Sequence, residues 1–147
     1  FFFKQKTAYE ISTRDWSSDV CSSDLCPVAL IPGITAVAAA AAAGLWPLAL
    51  QRESLLICPC PETPAALEQL LEAAAERGQV LALLKLGPRW RWLRPLLERR
   101  GLLERSLFAQ RVGWPDGLVL PAAAAPSNSP PYFSLLLIRQ GWPELLP

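Results

Sequence analysis

The chain has 147 residues, a formal net charge of +1 at pH 7, and neither histidine nor methionine. The length suits a single domain with a core of its own. The missing histidine excludes a Ser-His-Asp triad, a Cys-His pair and histidine-bound metal. The small net charge does not favour a nucleic-acid partner, since such proteins carry a strong basic excess.

The first 25 residues differ from the rest, because they are rich in Ser and Asp where the remainder is rich in Ala and Leu. Lys4–Ile11 and Arg14–Leu25 resemble the translated constant parts of a sequencing adapter. We therefore predict a disordered, non-native segment over 1–25 and exclude it from the fold. A disordered natural N-terminus is the alternative. The predicted domain is Cys26–Pro147.

Three cysteines, Cys26, Cys58 and Cys60, fall in this domain. A sparse, odd set is typical of a reducing compartment, so we expect a cytoplasmic protein. Cys58 and Cys60 could form a metal or redox pair. Their spacing is not CxxC, however, and two small buried side chains at a strand end are the simpler interpretation. We predict no metal site.

The stretch LIPGITAVAAAAAAGLWPLAL organises the chain. It predicts a short strand over Val28–Ile31, a turn at Pro32-Gly33 and a helix over Ile34–Ala43. Thr35 can cap the free N–H groups of that helix, and Gly44 ends it. A run of alanines is too small to build a core alone, so we expect this helix to press closely against a sheet or another domain.

The uncharged run from Leu25 to Gln51 is long enough to span a bilayer. Proline and glycine divide it, however, and alanine is only weakly hydrophobic on insertion scales. We therefore expect no membrane association. A membrane-anchored peptide around Ile34–Leu50 is the alternative.

Strands and helices alternate along the rest of the chain. We predict strands at Leu55–Cys58, Val80–Leu86, Ser106–Val112, Leu118–Leu120 and Tyr132–Ile138. Two further helices are predicted, at Pro64–Arg77 with Thr63 as its cap and at Arg89–Arg100. Pro121–Pro131 is a predicted mobile loop, and Gln140–Pro147 a tail. The alternation predicts an α/β domain, with a mostly parallel or mixed sheet flanked by helices.

The residues offer no catalytic constellation. Asp116 is the only aspartate of the domain, and neither a GxGxxG nor a P-loop motif occurs. What remains is a set of strand ends and turns, at Pro32-Gly33, Lys85–Gly87, Val112-Gly113 and Pro131-Tyr132. Ligands collect at such ends in open α/β sheets. A reaction that needs positioning rather than acid–base groups would suit this chain.

Two basic features leave alternatives open. Lys85 could face substrate carboxylates, or it could extend into solvent. The cluster of five arginines is most simply a solvated helix face, although it could attract a polyanionic substrate; its members are Arg89, Arg91, Arg94, Arg99 and Arg100.

Four segments carry a resemblance to a known family. IPGITAVAAAAAAGLWPLAL resembles the Pro-Gly-(Val/Ile)-(Thr/Ser)-(Ala/Ser) segment of the tetrapyrrole (corrin/porphyrin) methylases. VLALLKLG, FAQRVGWPDGLV and PPYFSLLLIRQGW resemble later segments in the family's order. The resemblance covers Cys26–Trp142. Within the family, LLKLG together with PYFSLLL is most similar to precorrin-2 C20-methyltransferases of cobalamin biosynthesis.

This resemblance implies the C-terminal domain of a two-domain α/β enzyme with S-adenosylmethionine between the domains. It implies methylation of precorrin-2 at C20 to give precorrin-3A. The positions that match cofactor contacts are Thr35, Ala36, Lys85 or Leu86, and Val112 or Gly113. For Leu86 and Val112 a plain core role is the alternative. Because the substrate is a polycarboxylate, Lys85, Arg89 and Arg111 are its candidate partners.

The family's N-terminal domain, with its Gly-rich GxGxGD-type loop, has no counterpart in this sequence. We therefore expect a fragment that is inactive alone, with the helix Ile34–Ala43 partly uncovered. Dimerisation, common in the family, is open. One alternative is another member, such as a different precorrin enzyme, diphthine synthase or a ribosomal-RNA ribose methylase. The other is a non-catalytic α/β interaction module.

Overall fold

The computed structural model describes residues 32–128 and 130–141. The predicted strand Val28–Ile31, the segment 1–25 and most of the predicted tail lie outside them. The elements described below all belong to one compact unit that begins at Ile34.

Helices and strands alternate in the described residues, as the sequence predicts. The helices are α1 (Ala36–Ala43), α2 (Pro64–Glu76) and α3 (Trp90–Arg99). The strands are β1 (Ser54–Pro59), β2 (Gln79–Leu84), β3 (Ser106–Gln110), β4 (Leu118–Pro121) and β5 (Ser134–Ile138). Short 3-10 turns, Gly87–Arg89 and Ala122–Ala124, precede α3 and follow β4.

Threonine hydroxyls cap the first two helices. Thr35 Oγ1 accepts a hydrogen bond from the Ala38 N–H at 3.2 Å, and Thr63 Oγ1 accepts one from the Ala66 N–H at 3.3 Å. Pro64 occupies the first turn of α2, where its missing N–H costs nothing. Both predicted caps are confirmed. Each satisfies an N–H group that has no partner within its own helix.

The sheet is mixed, with the strand order β1-β2-β5-β3-β4. Only β1 and β2 are parallel, whereas β5 is antiparallel to both β2 and β3, and β4 is antiparallel to β3. The prediction of a mixed sheet flanked by helices is confirmed. The central strand, β5, is the last strand in the described part of the chain.

Two strands end earlier than predicted, and for the same reason. β2 stops at Leu84 because Lys85 has φ of 60°, and β3 stops at Gln110 because Arg111 has φ of 44°. These left-handed conformations turn the chain out of the sheet. β5 begins at Ser134, two residues later than predicted.

The two faces of the sheet carry different layers. One face packs against α2 and α3, through Leu81, Leu83, Phe108, Leu136 and Ile138 on the sheet and Leu67, Leu71, Trp90, Leu93 and Leu97 on the helices. The other face packs against α1, through Ala82, Leu107, Ala109, Leu135 and Leu137 on the sheet and Val37, Ala40 and Ala41 on the helix. Alternating side chains of the inner strands thus serve both layers.

The alanine helix lies close to the sheet, as predicted. A Cβ atom added at Gly44 would stand 2.4 Å from Leu107 Cδ2. On its other side the helix is exposed at Ala36, Ala42 and Ala43, and Ile34 just before it is 82% exposed.

The loop predicted over Pro121–Pro131 is instead partly built into the core. Ala122 and Ala125 are buried. The indole Nε1–H of Trp90 donates a hydrogen bond to the Pro126 carbonyl at 2.8 Å. The predicted loop therefore begins with the short 3-10 turn Ala122–Ala124 and contributes small buried side chains to the core that contains Trp90.

A buried ion pair lies at the C-terminal end of β5. Arg139 is fully buried, and its Nε–H donates to both carboxylate oxygens of Glu53, at 3.0 and 3.1 Å. Its Nη2 donates to the Pro47 carbonyl at 2.6 Å, and its guanidinium lies 5.6 Å from the Trp46 ring. The pair ties the end of β5 to the segment that leads from α1 into β1.

We expect Gly44→Ala to destabilise the domain by about 1–3 kcal/mol, because Leu107 must leave its position in a packed layer. The backbone itself allows alanine, since φ is −88°. Urea unfolding measures the loss. Gly33→Ala is the matched control, because a Cβ there meets no atom within 4 Å. Equal midpoints for the two variants would contradict the close approach.

We expect Arg139→Met to lower the free energy of unfolding by about 3–5 kcal/mol, because it leaves the Glu53 carboxylate buried without its counter-charge. Adding Glu53→Gln should restore part of the loss. Denaturant unfolding of the single and double variants tests the pair. A double variant no more stable than the single would show that the charge pairing is not the cause.

Candidate cofactor and substrate site at one edge of the sheet

Three of the four predicted turns meet at one edge of the sheet. Because β5 is antiparallel to both β2 and β3, its first residue lies beside the last residues of those strands. The Lys85 N–H donates to the Ser134 carbonyl at 3.0 Å, and the Arg111 N–H donates to the Phe133 carbonyl at 2.9 Å. We call this the candidate edge. The fourth turn, Pro32-Gly33, falls in a different compact unit.

Ser134 joins the turns at this edge, and the sequence reasoning missed it. Its hydroxyl donates to the Pro131 carbonyl at 2.7 Å and accepts from the Gly87 N–H at 3.4 Å. The residue is 5% exposed. A lone serine in the apolar strand sequence SLLLI was the available signal, since a buried hydroxyl requires a partner.

Backbone strain marks the same place. Lys85 directly follows β2 and Arg111 directly follows β3, the two strands on either side of β5, and both are non-glycine residues in the left-handed region. Such a conformation costs about 1 kcal/mol or more and persists only where the surroundings impose it. Here the two backbone hydrogen bonds to Phe133 and Ser134 impose it. Strain of this kind clusters at functional sites.

Thr35 and Ala36 are exposed at the start of α1. The far end of α1 lies where β3 begins and β5 ends, since Gly44 approaches Leu107 and the nearby Pro47 carbonyl accepts from Arg139. Helix geometry leaves the N–H of Ala36 without an intrahelical acceptor.

Lys85 and Leu86 differ in their exposure and in the contacts of their side chains. Lys85 is exposed, and its ammonium lies 5.9 Å from the centre of the Tyr132 ring. Leu86 is fully buried in the layer of α2 and α3. Its carbonyl accepts from the Arg89 N–H, and its N–H is directed at the Ser134 carbonyl. The side chain of Leu86 thus has the core role named as its alternative.

Val112 and Gly113 likewise differ in their exposure. Val112 is half-buried and packs against the layer that holds α1. Gly113 is exposed with φ of 87°, and a Cβ there would meet open space. The backbone of this turn is therefore accessible at Gly113.

Most of the clustered arginines are engaged in structural contacts. Arg89 pairs with Glu62 at 2.9 Å and also donates to the Lys85 carbonyl. Arg100 contacts Glu72 at 3.1 Å, joining α3 to α2. Arg94 donates to the Ala123 carbonyl. These contacts support the simpler interpretation of the cluster.

The cysteines behave as small apolar residues. Cys60 is buried and Cys58 is half-buried. Burial raises the pKa of the Cys60 thiol to about 11, although the nearby charge of Arg89 lowers it in part, and burial also raises the pKa of Cys58. Within residues 32–128 and 130–141, no three potential metal-ligating side chains come together.

A cavity of about 460 Å³ lies elsewhere, at the edge where β1 and β2 begin. Its lining includes Glu53, Arg77 and Gln140. Ligands of open α/β sheets bind at the carboxyl ends of parallel strands, which is the opposite edge. None of the described helices is both long and apolar enough to cross a bilayer.

Comparison with known proteins agrees with this architecture. In solved structures, the chain matches the methyltransferase CobJ with a TM-score of 0.51 and 22% identity, over 84% of this chain and 56% of that one. It matches the cobalt precorrin-4 methyltransferase CbiF with a TM-score of 0.52 and 19% identity, over 90% and 59%. The fold is therefore that of this class of methyltransferases.

The sequence comparisons define the family. The profile of the tetrapyrrole (corrin/porphyrin) methylases matches residues 16–125, so the match begins within residues 1–25. The chain is 31% identical over 121 residues to a cobalt-precorrin-2 C(20)-methyltransferase of Salmonella typhimurium, covering 80% of this chain. It is 32% identical over 112 residues to the cobalamin biosynthesis protein CobIJ of Mycobacterium tuberculosis, covering 76% of this chain and 21% of that protein.

The chain thus belongs to the tetrapyrrole (corrin/porphyrin) methylases. It spans about half the length, 49%, of the Salmonella relative. The predicted family is confirmed by these matches.

We expect iodoacetamide to label Cys60 slowly at pH 7, because a pKa of about 11 leaves about a hundredfold less thiolate than the ordinary value of 9.0. The rate should rise as the pH approaches 11, since the thiolate is the reactive form. Peptide mass spectrometry across pH 7–11 measures it. Cys58, which is less buried, is the internal control and should react faster. Rapid labelling of Cys60 at pH 7 would contradict the burial.

Proposed function

We propose that this chain is part of an S-adenosylmethionine-dependent C-methyltransferase of cobalamin biosynthesis, which methylates precorrin-2 at C20 to give precorrin-3A. The observation that carries the proposal is the 31% identity, over 80% of the chain, to a relative named for the reaction at C20. Family membership supports methylation of a tetrapyrrole. The proposal that the methyl group is added at C20 is based on the name of this relative.

The residue inventory suits this chemistry. S-adenosylmethionine supplies a methyl group that is already activated on a sulfonium. The protein has to align that group with an electron-rich carbon of the macrocycle, and alignment alone can contribute roughly 7–11 kcal/mol. A chain without histidine loses nothing by this mechanism. No side chain is proposed to act as a catalytic acid, base or nucleophile.

The candidate edge fits a cofactor held mainly through backbone groups. The exposed backbone at Ala36, Lys85 and Gly113 would bind it, and Thr35 would keep the first turn of α1 in place through its cap. Val112 would support the turn from the core side, and Leu86 would do so through its packing. Backbone contacts explain how side chains at such positions can vary.

For the carboxylates of the substrate, Lys85 and Arg111 are the stronger candidates. Both lie at the candidate edge and both are at least partly exposed. Arg89 is the weaker candidate, because Glu62 already pairs with its guanidinium. A carboxylate that replaces a weak surface contact gains a charge-assisted hydrogen bond.

We further propose that catalysis needs a second domain, as the family resemblance implies, and that residues 1–25 are not native sequence. The share of the Salmonella relative that the chain matches, 49%, supports the need for more protein. The exposed side of α1 also supports it, since Ala36, Ala42 and Ala43 are uncovered and Ile34, just before the helix, is 82% exposed. We also propose that the whole protein is located in the cytoplasm and can form a homodimer.

The test uses the complete reading frame that encodes this chain, with precorrin-2 and S-adenosylmethionine carrying a 13C methyl group. We expect NMR of the product to show one labelled methyl on C20. Uroporphyrinogen III is the control substrate and should remain unlabelled. Label on another carbon would favour a different member of the family, and no label on any tetrapyrrole would reject methyltransfer.

The 147-residue chain alone serves as the second arm of this test. We expect calorimetry to detect no micromolar binding of S-adenosylmethionine and the NMR assay to detect no product. Micromolar binding by this chain would contradict the need for a second domain.

A further inference from the structure

Three large aromatic side chains are exposed together at the candidate edge. Trp114 is 58% exposed, Tyr132 is 59% exposed and Phe133 is 63% exposed. Single exposed apolar residues are ordinary, but a contiguous group marks a surface that binds something. The cofactor contacts proposed above do not use these three side chains.

The three rings form a row with a cation at each end. The Tyr132 and Phe133 rings meet edge to face with their centres 5.4 Å apart, and the Phe133 and Trp114 centres are 6.2 Å apart. The Lys85 ammonium lies 5.9 Å from the Tyr132 centre, and the Arg111 guanidinium lies 5.8 Å from the Trp114 centre. We call these five residues the aromatic row.

The backbone beneath the row is fixed by hydrogen bonds. The Trp114 N–H donates to the Arg111 carbonyl at 3.0 Å, and the Gly117 N–H donates to the Trp114 carbonyl at 2.9 Å. A Cβ at Gly117 would lie 2.5 Å from the Arg111 carbonyl oxygen, so this turn requires glycine. On the other side, Ser134 holds the Pro131 carbonyl. The rings are thus presented on two anchored turns, which lowers the entropic cost of binding.

We propose that the aromatic row binds the tetrapyrrole, with the rings against the macrocycle and the two cations on its carboxylates; this inference rests on the proposed function. Apolar rings between two cations match a broad conjugated ring system with acidic groups on its rim. The cofactor is proposed to bind backbone groups beside the row, which leaves the faces of the three rings free for the second ligand of the reaction. Trp114, Tyr132 and Phe133 are therefore substrate-binding residues.

The carboxylate of Asp116 would compete with a substrate carboxylate for the guanidinium of Arg111. Asp116 pairs with Arg111 across the turn. Both side chains are partly exposed, at 37% for Arg111 and 56% for Asp116, so the pair is weak and a substrate carboxylate can replace it. Removing the Asp116 charge should therefore strengthen binding, whereas removing any member of the row should weaken it. Opposite effects within one turn separate this proposal from general damage to the fold.

The test titrates the 147-residue chain with uroporphyrin III, a planar porphyrin that carries two carboxylates on each pyrrole ring, and follows the porphyrin absorption band. We expect saturable binding. Trp114→Ala and Tyr132→Ala should each weaken it about tenfold, the scale of one aromatic stacking contact. Lys85→Asn should weaken it about fivefold, and asparagine tolerates the left-handed backbone there. Asp116→Asn should tighten it about threefold.

Matched controls lie away from the candidate edge. Ile57→Ala removes an exposed apolar side chain from β1, and Arg99→Gln removes an exposed charge from α3. Neither should change the affinity, and all variants should keep the wild-type urea midpoint. Protoporphyrin IX, which carries two carboxylates, should bind more weakly and should respond less to Lys85→Asn.

Several results would contradict the proposal that the aromatic row binds the tetrapyrrole. These are no saturable binding by the wild-type chain, an equal loss in the control variants, and an unchanged affinity in Tyr132→Ala. The complete reading frame separates this inference from the proposed function. Methylation at C20 with an unchanged KM for precorrin-2 in Tyr132→Ala would reject the row alone. No methylation, with porphyrin binding as expected, would reject the function alone.

Discussion

The structure depends on the insertion of β5 between β2 and β3. This strand, the last among residues 32–128 and 130–141, makes antiparallel hydrogen bonds on both sides, and every one of its residues is buried. Without it the parallel pair β1-β2 and the hairpin β3-β4 would be separate pieces, each too small to be stable in water. Its side chains also alternate between the two helical layers, so a single strand completes both halves of the core.

The same strand sets the two ends of the domain. At its start, Ser134 and the preceding residues hold the turns after β2 and β3, which brings Lys85 and Arg111 to one edge. At its end, Arg139 enters the interior and pairs with Glu53. Breaking a buried pair of this kind is costly, because the remaining charge is left without its counter-charge. Here it connects the chain that leaves α1 to the strand that closes the sheet.

The sequence predicted the family of the chain more completely than it predicted the residues of the candidate site. The family could be predicted because the Pro-Gly-Ile-Thr-Ala segment and the later strands occur in a recognisable order, and the comparisons confirm it. Thr35 could be predicted as a cap, because a hydroxyl before an alanine run has few other roles. Ser134, Trp114 and Phe133 could not be placed, since their meeting depends on strand order rather than on neighbours in sequence.

The sequence by itself determined the local elements: the alanine helix that ends at Gly44, the capped helix after Thr63 and the apolar strands. Capping, propensity and periodicity act over a few residues, so a single chain segment contains the information. Only the tertiary structure decided that β5 is central and that Arg139 meets Glu53, 86 residues away. Pairings across such distances are selected by the burial of the whole core, and no local pattern encodes them.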